Sequence, residues 1–345
     1  MIEGLDISLA ELRAHFTGVV PQIGTLRGVE KFAAGQSNPT YKLICDEGVY
    51  VLRAKPPGDL LPSAHMVERE FRVMDALAET NVPVPRMIHL EQGNEAVLNR
   101  SFFLMEHLDG RIFWDPTLPD LHPAERGEVY DGMNATLAAL HDVDIAAVGL
   151  SDFGKPTNYF ARQISRWSKQ YTASALVPDP VMLVLMDWLE EHSEMDDGQV
   201  SLVHGDYRLD NLVFAKSGGQ VIGVLDWELS TLGHPYADLA YQCMQWRLPY
   251  KAALRGLGGV DRAEIGLPSE RDYVERYLQR RGREPIENWP VFLVFSFFRL
   301  AAILEGVGRR AHDGNASNPA LARDYAKAVP LLAEMAQTII EGGAE

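Results

Sequence analysis

The stretch VHGDYRLDNLVFAKSGGQVIGVLD, residues 203–226, carries the strongest structural signal in this 345-residue chain. Its apolar runs at residues 212–214 and 221–225 are typical of two short strands. Gly218 and Gly219 lie between these runs and can supply the positive φ angles that a tight hairpin needs. We therefore predict an antiparallel hairpin that reverses at the two glycines.

This hairpin brings Asn211 and Asp226 together at its open end. An amide oxygen and a carboxylate in that position suit Mg²⁺, which prefers oxygen ligands and keeps several waters. Asp206 lies just upstream, where its carboxylate can accept a proton from a substrate hydroxyl. Taken singly, Asp206 and Asn211 are more typical of residues that cap turns, so the metal site is indicated by the joint spacing of the three residues.

The secondary-structure signals divide the chain into two parts. The first contains a predicted hairpin with strands at residues 41–44 and 49–53, and a predicted helix at residues 65–79 that ends before two prolines. The second is typical of a mainly helical structure. We predict an α+β fold with a small β-rich part, residues 1–108, and a larger mainly helical part, residues 109–345. Clefts between two such parts are common ligand sites.

The composition excludes several classes of protein. With 46% hydrophobic and 23% charged residues, the chain is typical of a folded soluble protein. A net charge of −16 repels phosphate backbones, which argues against nucleic acid or an anionic membrane surface as a partner. Cys45 and Cys243 are far apart and show no metal-ligand spacing, so we predict neither a disulfide framework nor a zinc site, and a cytoplasmic location.

Two apolar segments bear on membrane association. Residues 1–14 carry four charged side chains, a pattern of an amphipathic helix rather than of a signal peptide. Residues 289–304 form the most apolar stretch, but they begin with a Trp-Pro pair, contain Arg299 and are short for a membrane span. We predict a buried helix there and no membrane partner.

The segments VHGDYRLDNL, residues 203–212, and VLDWE, residues 224–228, resemble the catalytic loop and the metal-binding segment of the aminoglycoside phosphotransferase and choline kinase-like families. These families are relatives of the protein kinases. The likeness is strongest to the phosphotransferase-like domains associated with acyl-CoA dehydrogenases, and a weaker likeness extends over almost the whole chain. The resemblance implies a two-lobed protein kinase-like fold with residues 1–108 as the N-lobe.

The resemblance also implies roles for the residues around the hairpin. Asp206 would be the catalytic base, and Asn211 and Asp226 the magnesium ligands, which agrees with the hairpin argument. His204 is predicted to hold the loop rather than to transfer protons. Asp238 is predicted to cap a helix or to brace a loop.

An arginine stands where this resemblance leads us to expect a lysine. Arg53 occupies the position of the strand lysine that holds the α- and β-phosphates in kinases, and Glu70 would be its ion-pair partner. Arginine can bind phosphate through two hydrogen bonds at once, but it is not interchangeable with lysine. A solvated strand end explains Arg53 equally well before the resemblance is considered.

The other nucleotide-binding candidates lie in two connecting segments. In the loop at residues 35–40, Ser37 and the backbone around Asn38 would bind phosphate oxygens, although an ordinary turn between strands explains this loop equally well. The segment from Glu106 to Leu108 would be the hinge whose backbone binds adenine, by resemblance to the family.

The predicted function is an ATP- and Mg²⁺-dependent transfer of the γ-phosphoryl group to a hydroxyl of a small molecule. Two acceptor classes are open, a hydroxyacyl compound, with Arg299 binding its anionic group, and an aminoglycoside-like compound. A buried ion pair or a solvated helix face is the more typical role of an arginine such as Arg299. A nucleotide-binding pseudokinase without turnover is the first alternative. A metal-dependent hydrolase that uses His204, Asp206, Asp226 and His234 is the second, but no close histidine pair supports it.

Overall fold

The computed structural model describes residues 1–32, 38–57, 66–93, 96–195, 197–252, 254–314 and 319–342. Within these ranges the N-terminal part is one antiparallel sheet with the strand order β1-β2-β3-β5-β4. Its strands are β1 (Leu26–Lys31), β2 (Thr40–Cys45), β3 (Gly48–Ala54), β4 (Met87–Glu91) and β5 (Phe102–Glu106).

The predicted hairpin is formed by β2 and β3, in which Cys45 pairs with Gly48 across a two-residue turn. The predicted helix of residues 65–79 is present as α2 (Val67–Leu77), and residue 65 lies outside the described ranges. The first helix, α1 (Leu9–Val19), begins later than the predicted 1–14, because Ser8 and Glu11 form a reciprocal capping box at its N-terminus.

The side chains of β5 point alternately to the two faces of the sheet, and both faces are covered. Phe102 and Leu104 belong to a buried cluster with Leu12 and Phe16 of α1. Phe103 belongs instead to the larger cluster that contains α2 and the helical part. Since successive side chains of a strand point to opposite faces, one short strand joins the two hydrophobic cores.

The C-terminal part is mostly helical. Its helices are α3 (Pro123–His141), α4 (Tyr159–Ser174), α5 (Pro180–Glu191), α6 (Pro235–Arg247), α7 (Glu270–Arg281), α8 (Trp289–His312), α9 (Pro319–Ala326) and α10 (Val329–Ile340). Two small strand pairs lie among them, β6 (Ser201–Val203) with β9 (Thr231–Gly233) and β7 (Leu212–Phe214) with β8 (Val221–Val224). The predicted α+β class, with a sheet-rich part followed by a mainly helical part, is confirmed.

The apolar segment predicted at residues 289–304 is the first part of α8. By length and hydropathy α8 could cross a membrane, but 67% of its most apolar stretch is buried inside the protein. It packs against α4, α5, α6, α9 and α10. These contacts bury the apolar side chains, as a core helix requires.

Candidate active site

The hairpin of β7 and β8 places the first site residues. Leu212 pairs with Val224, and the amide of Leu225 donates to the carbonyl oxygen of Asn211 at 2.9 Å. Asp226 follows directly with φ 64° and ψ 62°, a left-handed conformation that is uncommon outside glycine. The predicted approach of Asn211 and Asp226 is therefore present in the structure.

The two glycines of the turn have different roles. Gly218 has φ 70° and supplies the positive angle that was predicted. Gly219 is needed for space, because a Cβ atom there would lie 1.9 Å from the carbonyl oxygen of Glu128 in α3. The prediction that both glycines take positive φ is thus correct only for Gly218, and Gly219 allows the hairpin to pack on α3.

The carboxylate of Asp206 is held by two neighbours. The Tyr241 hydroxyl donates to its Oδ1 at 2.7 Å, and Asn211 Nδ2 donates to its Oδ2 at 3.1 Å and to its backbone oxygen at 2.9 Å. Burial, followed by the negative charge of Asp206, raises the pKa of Tyr241, so the phenol stays a donor. With Nδ2 used on Asp206, Oδ1 is the atom of Asn211 that can bind a cation.

The backbone of the loop is braced by Asp238, which is 1% exposed in the first turn of α6. Its two carboxylate oxygens accept from the amides of His204 at 2.5 Å and Gly205 at 2.8 Å. His234, not Asp238, caps α6. Of the two roles predicted for Asp238, the structure shows the loop brace.

His204 is engaged at both ring nitrogens. Nε2 donates to the carbonyl oxygen of Leu225 at 2.9 Å, and Nδ1 accepts from the amide of Asp206 at 3.2 Å. The ring is fully buried and links the loop before β7 to Leu225, the residue after β8, which agrees with the predicted structural role.

The hydrolase alternative lacks its metal ligands. Within the described ranges no group of three or more histidine, cysteine, aspartate or glutamate side chains could hold a metal ion. His234 uses Nε2 on Asp197 at 2.9 Å and Nδ1 on the amide of Tyr236 at 3.2 Å. Both nitrogens of its ring therefore take part in structural hydrogen bonds.

One acceptor hypothesis assumed that Arg299 faces a substrate cleft, and the structure does not place it there. It is 5% exposed and donates to the carbonyl oxygen of Gly205 at 2.6 Å. Its guanidinium lies 5.3 Å from the ring centre of Tyr241 and 5.8 Å from that of Trp167. The cation supports the catalytic loop from behind through a hydrogen bond and cation–π contacts.

Gly205 is the most constrained backbone position of this loop. It has φ 86°, and a Cβ atom there would lie 2.6 Å from the carbonyl oxygen of Leu229. We expect Gly205→Ala to lower the free energy of unfolding by at least about 2 kcal/mol, because it combines a disfavoured angle with a backbone clash. Urea unfolding measures this change.

Gly282→Ala is the matched control, since φ is 58° there and nothing lies within 4 Å of the added carbon. This variant should lower the free energy of unfolding by only about 1–2 kcal/mol, the cost of a left-handed backbone angle in a residue with a Cβ atom. Equal losses in the two variants would contradict the proposed clash at Gly205.

Arg53 links the sheet to the hairpin. Its Nε lies 3.0 Å from a carboxylate oxygen of Glu70, and its Nη2 lies 2.6 Å from Oδ1 of Asp226. Glu70 is 1% exposed, and burial raises its pKa while the positive charge of Arg53 opposes that shift. The predicted pairing of Arg53 with Glu70 is present, and the contact with Asp226 is an addition that sequence reasoning missed.

The predicted phosphate loop is only partly described. Ser37 lies outside the described residues. Asn38 is 2% exposed, and its Nδ2 donates to Glu70 at 2.8 Å, so this side chain supports the Arg53–Glu70 pair. Phosphate binding by the backbone around Asn38 stays a prediction.

A cavity of about 250 Å³, here called the cleft cavity, lies between the sheet and the helical part. Glu106 and Leu108 line it, as expected of a hinge. Arg53, Asn211 and Asp226 lie on its wall, and most of the remaining lining is apolar: Val51, Met74, Phe103, Met105, Val213 and Leu225. An apolar cavity with charged groups on its wall suits a nucleotide, which has a flat base and an anionic tail.

A second cavity, of about 270 Å³, lies beside the catalytic loop and is called the side cavity. Trp114 and Asp210 line both cavities, so the two adjoin there. Tyr241 and Arg208, which contact Asp206, also line the side cavity. Sequence reasoning missed this cavity, and the one available signal was Tyr241 lying three residues after Asp238 on the same helix.

Comparisons with known proteins agree with this geometry. A family model described as "Phosphotransferase enzyme family" matches residues 28–273. Mouse (Mus musculus) acyl-CoA dehydrogenase family member 10 is 45% identical over 307 residues, which cover 89% of this chain. The chain spans only 28% of the length of that relative.

Solved structures show the same fold. The crystal structure of a candidate aminoglycoside phosphotransferase from Ralstonia eutropha JMP134 is 45% identical, with a TM-score of 0.86 over 98% of this chain and 99% of the other. A ternary complex of aminoglycoside phosphotransferase APH(4)-Ia with ADP and hygromycin B is 16% identical, with a TM-score of 0.63 over 95% and 98% of the two chains. The predicted two-lobed, kinase-like fold and the family resemblance are confirmed.

Proposed function

This chain belongs to the phosphotransferase enzyme family, and from that premise we propose that it transfers the γ-phosphoryl group of ATP to a hydroxyl of a small molecule with the help of Mg²⁺. The main support for the proposal is that Asp206, Asn211 and Asp226 lie together at one end of the hairpin, beside a cavity that Arg53 also lines. Structural neighbours have been solved with ADP and with GDP, which supports a purine nucleotide as the phosphoryl donor.

The donor atoms at the hairpin fit magnesium. Asn211 offers an amide oxygen and Asp226 a carboxylate, and Mg²⁺ binds few protein oxygens while keeping waters and substrate phosphates as its other ligands. When bound, the ion neutralises charge on the phosphates. Arg53 adds a fixed positive charge on the same side of the cleft cavity. The amides of Glu106 and His107 bond the carbonyl oxygens of Arg86 and Val49, so the other backbone groups of residues 106–108 would bind the adenine.

Asp206 is suited to accept the proton of the attacking hydroxyl. Tyr241 and Asn211 fix its carboxylate in one orientation, and the side chain keeps 25% of its surface exposed. A base that is held in place and still accessible can receive a proton while the phosphoryl group moves.

Arg53 should not tolerate replacement by lysine. Its guanidinium bridges Glu70 and Asp226 with separate nitrogens, whereas one ammonium group cannot reproduce that geometry. We expect Arg53→Lys to raise the KM for ATP about 10-fold, the loss of one charge-assisted hydrogen bond. Steady-state kinetics with varied ATP measure it.

Arg27→Lys is the control, because Arg27 pairs with Asp46 at a surface position where its side chain is 61% exposed. Exposed pairs contribute little, so this variant should behave as the wild type. An unchanged KM in Arg53→Lys would show that a point charge suffices at that position.

The side cavity favours one acceptor class over the other. Arg208 and Arg255 line it, and both are ion-paired, Arg208 with Asp210 at 2.5 Å and Arg255 with Asp115 at 3.2 Å. Several apolar side chains complete it, among them Trp114, Met244, Leu248, Leu254 and Leu300. We propose that the acceptor is a hydroxyacyl-like compound with an apolar chain, because the apolar lining suits such a chain and Asp210, the acidic residue that an aminoglycoside-like polycation would meet, is already paired with Arg208.

The pseudokinase alternative has one observation in its favour, the contact of Arg53 with Asp226, which already neutralises the proposed metal ligand. Release of ADP from Mg-ATP across a panel of hydroxylated compounds separates the two functions, with Asp206→Asn as the blank. An acceptor-dependent release that the blank lacks supports phosphoryl transfer. Thermal stabilisation by nucleotide without any release across the panel supports the pseudokinase.

A further inference from the structure

Three large apolar side chains around the cleft cavity are exposed. Phe32, Ile112 and Trp114 all line this cavity, and Trp114 has the largest exposed fraction of the three, 65%. Single exposed apolar side chains are common on protein surfaces, but a group of them beside one cavity marks a surface that a ligand covers. The cavity mouth therefore presents apolar surface that the fold itself does not use.

Trp114 differs from the other two side chains because it lies between the cavities. It lines the side cavity as well as the cleft cavity, whereas Phe32 and Ile112 are described only at the cleft cavity. Asp210, which directly precedes the proposed metal ligand Asn211, is the other described residue that both cavities share. The indole is thus placed where a molecule in the side cavity approaches the nucleotide.

The chain on both sides of Trp114 is fixed. Before it, the ring of Phe113 packs against that of Phe214 in β7, with 5.4 Å between the ring centres. After it, Oδ1 of Asp115 accepts from the amide of Thr117 at 2.9 Å and from its hydroxyl at 2.7 Å. An exposed side chain on a fixed backbone is pre-organised for binding, because less conformational freedom is lost when the ligand binds.

The nucleotide and the acceptor are the two ligands that the indole could contact. The base of the nucleotide has its own apolar surroundings in the cleft cavity, such as Val51 and Leu225. The phosphates are anionic, and the face of an indole carries negative potential, which disfavours them. An apolar chain that lies in the side cavity against Met244 and Leu254 gains further contact area on the indole of Trp114.

We propose that Trp114 determines acceptor specificity, because its indole packs on the apolar chain of the acceptor at the point where that chain reaches the nucleotide. The proposal rests on the proposed function, since it places the acceptor in the side cavity. Each methylene group that becomes buried on the indole should tighten binding by up to about 4-fold. Trp114 therefore selects acceptors by the length of their apolar chain.

The test measures how chain length changes binding. The probes are hydroxybutanoyl-, hydroxyhexanoyl- and hydroxyoctanoyl-N-acetylcysteamine thioesters, with the hydroxyl at each chain position. Calorimetry in the presence of Mg²⁺ and AMP-PNP gives the dissociation constants for the wild type, Trp114→Ala and Trp114→Phe. Thermal unfolding shows that each variant is folded.

Leu176→Ala is the control, since it also removes an exposed apolar side chain. Leu176 is 58% exposed and lies between α4 and α5. Neither the cleft cavity nor the side cavity has it among the described lining residues. Its replacement should leave the binding of every thioester unchanged.

We expect the wild type to bind the best octanoyl thioester at least about 10-fold more tightly than the butanoyl one. Trp114→Ala should lower that ratio at least about 4-fold and change the dissociation constant of AMP-PNP less than about 3-fold. Trp114→Phe keeps an aromatic face and should lower the ratio less than about 2-fold.

Fluorescence of the wild type gives a second readout that needs no variant. Trp114 is exposed, whereas the other five tryptophans are buried or partly buried, so acrylamide quenches Trp114 preferentially. The octanoyl thioester should protect the indole from acrylamide, and it should do so more than AMP-PNP alone does.

Four results would overturn the proposal: an unchanged ratio in Trp114→Ala, an equal loss in Leu176→Ala, protection of the indole by AMP-PNP but not by the thioester, or failure of every thioester to bind the wild type. ADP release from Mg-ATP is followed with the same thioesters. Binding that depends on chain length and on Trp114, without ADP release, would overturn the proposed phosphoryl transfer and leave the assignment of Trp114 intact.

Discussion

Asp206→Asn is expected to reduce phosphoryl transfer by about 10²- to 10⁴-fold, the usual contribution of a positioned general base. The amide cannot accept the proton of the attacking hydroxyl. It preserves the shape of the carboxylate, its oxygen can still accept from Asn211 Nδ2, and its NH2 group can donate to the hydroxyl oxygen of Tyr241. The variant should therefore fold and bind Mg-ATP normally, and kcat is the quantity that falls.

The measurement is kcat together with the dissociation constant of Mg-ATP. Asp152→Asn provides the control, since Asp152 pairs with Arg72 and its side chain is 74% exposed. It undergoes the same chemical change away from the catalytic loop and should retain full activity. A kcat in Asp206→Asn within about threefold of the wild type would exclude Asp206 as the base, since a base contributes at least about a hundredfold.

Asp226→Asn is expected to remove the magnesium dependence of nucleotide binding and to lower activity by about 10²- to 10³-fold, as losses of charge stabilisation in active sites do. Asp226 is the carboxylate that the hairpin brings beside Asn211, and an amide binds Mg²⁺ much more weakly than a carboxylate. Arg53 retains Glu70 as a partner in the variant, so the link from the sheet to α2 remains.

Titration of ATP with and without Mg²⁺ measures the effect. In the wild type Mg²⁺ should tighten the binding of ATP, whereas in Asp226→Asn the two titrations should agree. If Mg²⁺ tightened binding equally in both proteins, Asp226 would not be a ligand of the ion. Asp152→Asn, the exposed change, should retain the full magnesium effect.

Local sequence was sufficient to predict the hairpin and what it brings together. The strands β7 and β8 are short but flank two glycines. The positions of Asn211 and Asp226 follow from the pairing of these two strands. The pairing of β2 with β3 was predictable for the same reason, since a short turn fixes the register of its strands.

Contacts between distant segments were not predictable in the same way. Arg53 and Asp226 are 173 residues apart, and no local pattern reports that they meet. The role of Tyr241 depends on the packing of α6 against the loop that contains Asp206, which brings its hydroxyl within 2.7 Å of that carboxylate.

Arg299 shows how a correct location can accompany a wrong role. Sequence placed it in an apolar helix, and α8 is that helix. A buried ion pair or a solvated face was the more typical expectation and a role in a substrate cleft the alternative; the arginine is buried, but its partners are the carbonyl oxygen of Gly205 and two aromatic rings. The long aliphatic part of arginine allows this burial, which sequence alone does not distinguish from exposure.

The most direct test of phosphoryl transfer follows the phosphoryl group itself. The wild type is incubated with a metabolite extract, Mg²⁺ and ATP that carries heavy oxygen in its γ-phosphate, and the products are analysed by mass spectrometry. We expect a hydroxylated compound that gains a phosphoryl group carrying the heavy oxygens, and no such product with Asp206→Asn. Absence of any labelled product from the wild type, together with no binding of Mg-ATP, would contradict it.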